Sequence, residues 1–313
     1  SISYELSVVY FAPPLIVLTG RMLLDDSHPK NFSSMTRQDT SLGERGIHNL
    51  TLGGLAYANR RPKFTEKDLE QQHVKEHMAG AFRVFGRRGY GEGDAGHMSV
   101  RDPLNPETFW INPFGLHFSS VKASDLVLVD VDGHILADGN KAPINLAGFK
   151  IHSEIHKARP DVNAACHAHT VYGKAWSAFG KPLDMINQDA CIFYDCHSVY
   201  ESFGGVVLES EEGQRLAAAL GNNKAVILQN HGLLTVGETI DEAGYLFDLL
   251  ERTCQVQLQV EMVANMNSLS KQLIASEEAQ YTNHNTADPE SLYSAFQVDY
   301  NRELKLSQGE FLL

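Results

Sequence analysis

Segments with a helical period and short segments with a strand period interleave irregularly between residues 65 and 265, and that order constrains the fold more than any other feature. Thr65-x-x-Asp68 opens a helix in which His73, Val74, His77, Met78, Ala81, Phe82 and Phe85 recur at helical spacing, ending near Gly89. Short strands are predicted at 97–101, 108–112 and 126–131, the last closing on the hairpin signal Asp132-Gly133. A helix over 148–158 stops before Pro160, and a strand (163–169) and a helix (171–179) follow. Then come a strand at 206–208, a helix at 211–220 closed by Gly221, and an apolar strand at 225–229 ending in Asn230-His231-Gly232. The longest helix runs from the start signal Thr239-x-x-Glu242 to about residue 265, and one more is placed at 289–302. Hairpins among helices imply a three-layer α/β domain with a central, largely antiparallel sheet over 63–268. Residues 1–62 are expected to be an irregular N-terminal arm and 269–313 a more polar C-terminal tail.

The composition narrows the function classes. The apolar fraction is 43% and the charged fraction 21%, as in ordinary globular chains and unlike disordered ones. The net charge is −13 and no basic stripe is visible, so no nucleic-acid partner is expected. Four cysteines without a CxxC pattern in 313 residues argue for a reducing, cytoplasmic setting. The longest apolar stretch, residues 6–18, is about 13 residues long and contains Pro13-Pro14, too short to span a bilayer. Glu5 and no Lys or Arg precedes it, which argues against a signal segment, so no membrane partner is expected.

His167-x-His169 is the sharpest chemical feature. Residues i and i+2 of a strand share a face, about 6.6 Å apart at about 3.3 Å per residue, so both imidazoles can reach one metal. The pair alone is weak, because 14 histidines in 313 residues give about 0.6 such pairs by chance. His231 strengthens it. It also sits at a strand end, where Gly232 lets the backbone turn sharply. Three strand-end histidines leave a metal with an open coordination position, as in catalytic sites.

The segment 148–170, GFKIHSEIHKARPDVNAACHAHT, resembles the class II aldolase/adducin domain, as do GHMSVRDP (96–103) and AVILQNHGLLTVG (225–237). The resemblance covers roughly residues 65–265 and implies an α/β/α fold, often assembled as a homo-oligomer, a tetramer above all. It implies that His167, His169 and His231 bind zinc, with Fe²⁺ or another divalent ion as alternatives. The chain also departs from the pattern. The sugar-phosphate aldolases of the family carry a catalytic Glu nineteen residues before the first ligand, and here that position is Gly148. The two serines that grip phosphate are replaced by Leu146 and Ala147, and the loop that helps hold phosphate reads Gly96-His97 in place of Gly-Asn. Gly148 matches adducin better, but adducin's long charged tail is absent.

The expectation is therefore a divalent-metal-dependent lyase acting on a carbonyl of a non-phosphorylated small molecule, such as one of secondary metabolism, by aldol or retro-aldol chemistry, decarboxylation or Lewis-acid-assisted cyclisation. Alternatives are a non-haem Fe(II) oxygenase on the same fold and a non-catalytic adducin-like binding module. His97, His197 and Tyr194 are candidate catalytic groups in place of the Glu, and Phe114, Phe193 and the space at Gly148 candidate substrate contacts. His152, one turn after Gly148, could reach toward the vacated position or serve the core. The i,i+4 pairs His73/His77 and His152/His156 are set aside as metal sites because neither reads H-E-x-x-H. Gly91-x-Gly93-x-x-Gly96 follows a helix, the reverse of the dinucleotide context, and Cys166 is expected to be a core thiol.

Overall fold

The computed structural model describes residues 59–313, apart from 208 and 268. The arm predicted over 1–62 thus lies almost wholly outside the described residues, as does the apolar stretch 6–18. Seven strands form one sheet: β1 (His97–Arg101), β2 (Thr108–Ile111), β3 (Val127–Asp130), β4 (Ala164–Ala168), β5 (His197–Tyr200), β6 (Ala225–Leu228) and β7 (Gly232–Gly237). Their order is β3-β2-β1-β4-β7-β6-β5, antiparallel except for the β5–β6 pair at one edge. The helices are α1 (Lys67–Arg88), α2 (Leu146–Ala158), α3 (Val171–Ser177), α4 (Ser210–Leu220), α5 (Ile240–Asn267), α6 (Ser276–Thr286) and α7 (Pro289–Leu306). This is the α/β architecture with a largely antiparallel sheet that the interleaved periods imply.

Alternation along the strands sorts side chains onto two faces. Met98, Val100, Ala164, Cys166 and Ala168 join the large core built with Phe82 and Phe85 of α1, Leu246 and Phe247 of α5 and Phe296 of α7. On the other face Ala165, Val226, Leu234 and Val236 pack against Ile151 and Ile155 of α2 and Leu216 and Leu220 of α4. A third cluster joins Phe109, Ile111, Val127 and Val129 to Phe149 of α2. Each fully buried Val, Leu, Ile, Met or Phe among these contributes roughly 1.5–3 kcal/mol. Between the second and third clusters lies β1, whose side chains toward α2 are polar: His97 and Ser99.

Several predicted elements shift. α2 begins at Leu146, two residues early, because the Asn145 side chain caps it by accepting from Gly148 N at 3.0 Å. No strand forms at 206–207; Val206 is 74% exposed in a bend, and the edge position belongs to β5 instead. β5 follows Asp195, whose φ of 50° turns the chain, and its four partly buried residues have no clear period. Residues 269–313 carry α6 and α7, and Tyr300 and Phe311 bury with the large core. Among the described residues no helix is long and apolar enough to cross a membrane.

Candidate metal centre

Strand register assembles the histidines. β1 pairs with β4 so that His97 lies opposite His167, and β4 pairs with β7 so that Leu233 lies opposite Ala168. His169 and Thr170 continue past the end of β4, and His231 precedes β7 in the β6–β7 turn. The left-handed residue of that turn is Asn230, with φ 58°, not the glycine. Gly232 serves close approach instead: a Cβ there would stand 3.0 Å from the Ala168 carbonyl oxygen and 3.7 Å from His167 Cε1. The residue type expected from sequence is present for a different reason, because β7 must run hard against the histidine pair.

The ligand nitrogens of His167, His169 and His231 all lie within 4.8 Å of one another. His167 Nδ1 donates to the Leu233 carbonyl at 2.8 Å, which fixes its tautomer and leaves Nε2 as a bare acceptor. That Nε2 is buried without a hydrogen-bond partner. His169 Nε2 and His231 Nε2 face each other at 2.9 Å. Burial pushes the His231 imidazole down to about 4, helped by His169. Burial lowers His169, helped by Lys174, and burial lowers His167 far more, helped by His97 and the other two rings. All three rings are therefore neutral near pH 7, the form that ligates. An orphaned buried lone pair beside two neutral imidazoles fits a divalent cation with an open position, and three nitrogen donors suit zinc or iron.

Glu251 of α5 holds the neighbouring backbone. It accepts from Thr170 Oγ1, from Tyr172 N at 2.9 Å and from Gly173 N at 2.6 Å, so it caps α3 immediately after His169. Glu251→Ala is expected to lower unfolding stability by about 2 kcal/mol, read by urea denaturation, because it strands the buried Gly173 amide and Thr170 hydroxyl and the partly buried Tyr172 amide.

The other sequence candidates divide. His97 lies beside the triad, its ring centroid 4.8 Å from that of His167. Gly148 is buried against the same ring: a Cβ there would stand 2.4 Å from His97 Cδ2. His197 stands beside the opposite end of β6 from His231, with Leu183 N donating to its Nε2 and its Nδ1 donating to the Phe193 carbonyl. Tyr194 ends the same turn as Phe193, which is fully buried in the core and not at the triad. Phe114 is 45% exposed. The aromatic ring against the triad is one that sequence reasoning missed, Phe203, 6.4 Å from His231 and 58% exposed. Its loop carries no period to mark it. Also missed was the Lys174–Glu92 ion pair, whose charges both act on His169.

Cavity size does not point to this chemistry. A cavity of about 700 Å³ opens at the other end of the sheet, between Arg101, Glu238 and Asp241. Polar groups of its own lining meet there, His77 Nδ1 with Asp241 Oδ1 at 2.6 Å and Arg61 with Glu238 at 2.9 Å, and no triad residue lines it.

A mostly antiparallel sheet between helical layers, with histidines gathered at its strand ends, defines a class II aldolase-like α/β protein. The chain belongs to the class II aldolase and adducin N-terminal domain family, whose model matches residues 76–258. It is 46% identical to the meiotically up-regulated gene 14 protein of Schizosaccharomyces pombe, over 80% of this chain and 96% of that one. It is 44% identical, over 64% of its length, both to decarboxylase NovR of Streptomyces niveus (75% of that chain) and to the 4-hydroxy-3-prenylphenylpyruvate oxygenase/4-hydroxy-3-prenylbenzoate synthase of Streptomyces roseochromogenus (73%). The solved L-fuculose 1-phosphate aldolase of Glaciozyma antarctica PI12 superposes with a TM-score of 0.74 at 41% identity, covering 83% of this chain and 99% of that one.

Proposed function

We propose that the chain is a divalent-metal-dependent lyase in which His167, His169 and His231 hold the ion, zinc above others, through Nε2. The observation that carries this reading is the buried, unpartnered Nε2 of His167, fixed as an acceptor by its Nδ1 bond to Leu233. A bound ion would polarise a substrate carbonyl and stabilise the enolate left when an adjacent carbon–carbon bond breaks. His97 takes the part of the missing Glu: its ring fills the space at Gly148, and its Nε2 takes up the proton released from the substrate and returns it. The substrate is a non-phosphorylated small molecule with an aromatic or apolar body. Leu146 and Ala147 offer no phosphate grip, and Phe203, Val171 and Tyr172 present exposed apolar surface near the triad. The names of the two Streptomyces relatives, a decarboxylase and an enzyme of a prenylated phenylpyruvate, support a 2-oxo or β-keto acid. The sugar phosphate named for the Glaciozyma structure is carried over to this chain less well, for want of those serines. A reducing, cytoplasmic setting accords with four free cysteines, and a homo-oligomer, tetrameric as the resemblance implies, accords with the family.

The oxygenase name of one relative favours a second reading, iron at the same triad with oxidative cleavage. Zinc- and iron-loaded protein assayed with aryl 2-oxo and β-keto acids, in air and under argon, separates the two. The lyase reading expects carbon–carbon cleavage or decarboxylation at equal rates in both atmospheres; activity that vanishes under argon would replace it with the oxygenase.

A further inference from the structure

The face of the sheet toward α2 is apolar on both sides of β1, yet a column of polar side chains crosses it. His97 Nδ1 lies 2.6 Å from His152 Nε2, and His152 Nδ1 lies 2.5 Å from Ser99 Oγ. Ser99 Oγ lies 2.8 Å from His156 Nε2, and His156 Nδ1 reaches the Val162 carbonyl at 3.4 Å. The four side chains are at most 4% exposed. Two periodicities make the column: His97 and Ser99 share a strand face, and His152 and His156 lie one helical turn apart.

We propose that Ser99, His152 and His156 form a relay of positioning residues that holds His97 in the one tautomer with a bare Nε2. A carbonyl oxygen only accepts, so His156 carries its proton on Nδ1 and accepts at Nε2. The Ser99 hydroxyl proton then goes to His156, and Ser99 Oγ accepts from His152 Nδ1. His152 Nε2 accepts from His97 Nδ1, and His97 Nε2 is left with a lone pair. Burial pushes His152 and His156 each down to about 3, so neutral rings, with one donor and one acceptor apiece, are what the column contains. The reverse order would need His156 Nδ1 to accept from Arg101 Nη2 at 3.5 Å, and that nitrogen already donates to the His156 carbonyl at 2.8 Å and the Val162 carbonyl at 3.2 Å. The use of that lone pair in proton transfer rests on the lyase reading; the proton order itself does not.

Neutron diffraction from deuterium-exchanged crystals of the full chain, metal-free and zinc-loaded, tests the order directly. Deuterium is expected on Nδ1 of His97, His152 and His156, with the Ser99 hydroxyl directed at His156. Deuterium on His97 Nε2, or the hydroxyl directed at His152, would overturn the relay, and the wild-type crystals alone decide this. In Ser99→Ala the deuterium on His97 is expected to divide between its two nitrogens while zinc content stays unchanged, and Ser99→Thr is expected to restore the single tautomer. An unchanged single tautomer in Ser99→Ala would overturn the role of Ser99. Deuterium in the stated order together with no cleavage of any oxo acid would sink the lyase reading and leave the relay standing.

Discussion

Gly148→Glu, which restores the carboxylate that the resemblance to sugar-phosphate aldolases puts at that position, is expected to disable the site, not to convert it. The β-carbon alone would stand 2.4 Å from His97 Cδ2 and 2.7 Å from Cγ, closer than carbon atoms approach. The ring cannot swing aside freely, because its Nδ1 is bonded to His152 and its strand is paired on both sides. Overpacking of this kind costs about 3 kcal/mol, and the added carboxylate is buried besides. Turnover on the oxo-acid substrates is expected to fall at least about a hundredfold, the usual worth of a positioned acid–base group. The double variant Gly148→Glu/His97→Ala is the discriminating control. It empties the space, so more than half of the lost stability should return, and the two substitutions should be strongly non-additive in urea denaturation. Additive losses would show that His97 does not fill the space left by the Glu.

His231→Ala is expected to have the largest effect on chemistry and a small one on folding. Two imidazoles remain, and neither can replace the turn-borne ligand that faces His169 Nε2 at 2.9 Å. Bound metal should fall from about one ion per chain to trace, and turnover roughly a thousandfold or more, since a Lewis acid supplies several kcal/mol of transition-state stabilisation. The His231 backbone N–H, which donates to the Leu228 carbonyl at 3.0 Å, is kept by alanine, and the ring's bond is to His169, so the melting temperature of the metal-free protein should move by only a few degrees. Full metal content in this variant would point to an adducin-like module in which the histidines have other duties.

What could be read from sequence follows from the range of the forces involved. The His167/His169 pair was legible because strand alternation is local, and His231 because Asn-His-Gly after an apolar run marks a turn. The architecture was legible from the same periods. The cross-strand opposition of His97 and His167 was not, because it depends on the register between β1 and β4, which are separated by two strands and a helix in sequence. The column through Ser99, His152 and His156 was hidden for a related reason. A buried polar stripe on α2 reads like a helix face, and only its packing against β1 reveals the partners. α6 escaped detection because it is polar on nearly every side, burying only Ala279. His197 and Tyr194 drew attention as part of a region that, by the family resemblance, often contributes to a neighbouring subunit's site; within one chain β5 puts His197 on the edge strand of the sheet, and Phe193, in the turn before it, is buried in the core.

The most direct measurement is element-specific anomalous diffraction from crystals of protein purified without chelator, joined to elemental analysis of the same preparation. The account predicts one divalent ion per chain, with Nε2 of His167, His169 and His231 each about 2.0–2.2 Å away and at least one position left for substrate or water. No ion above trace, with His167 Nε2 bonded to a water or a side chain, would contradict it. So would equal metal content in the wild type and the His167→Ala/His169→Ala variant.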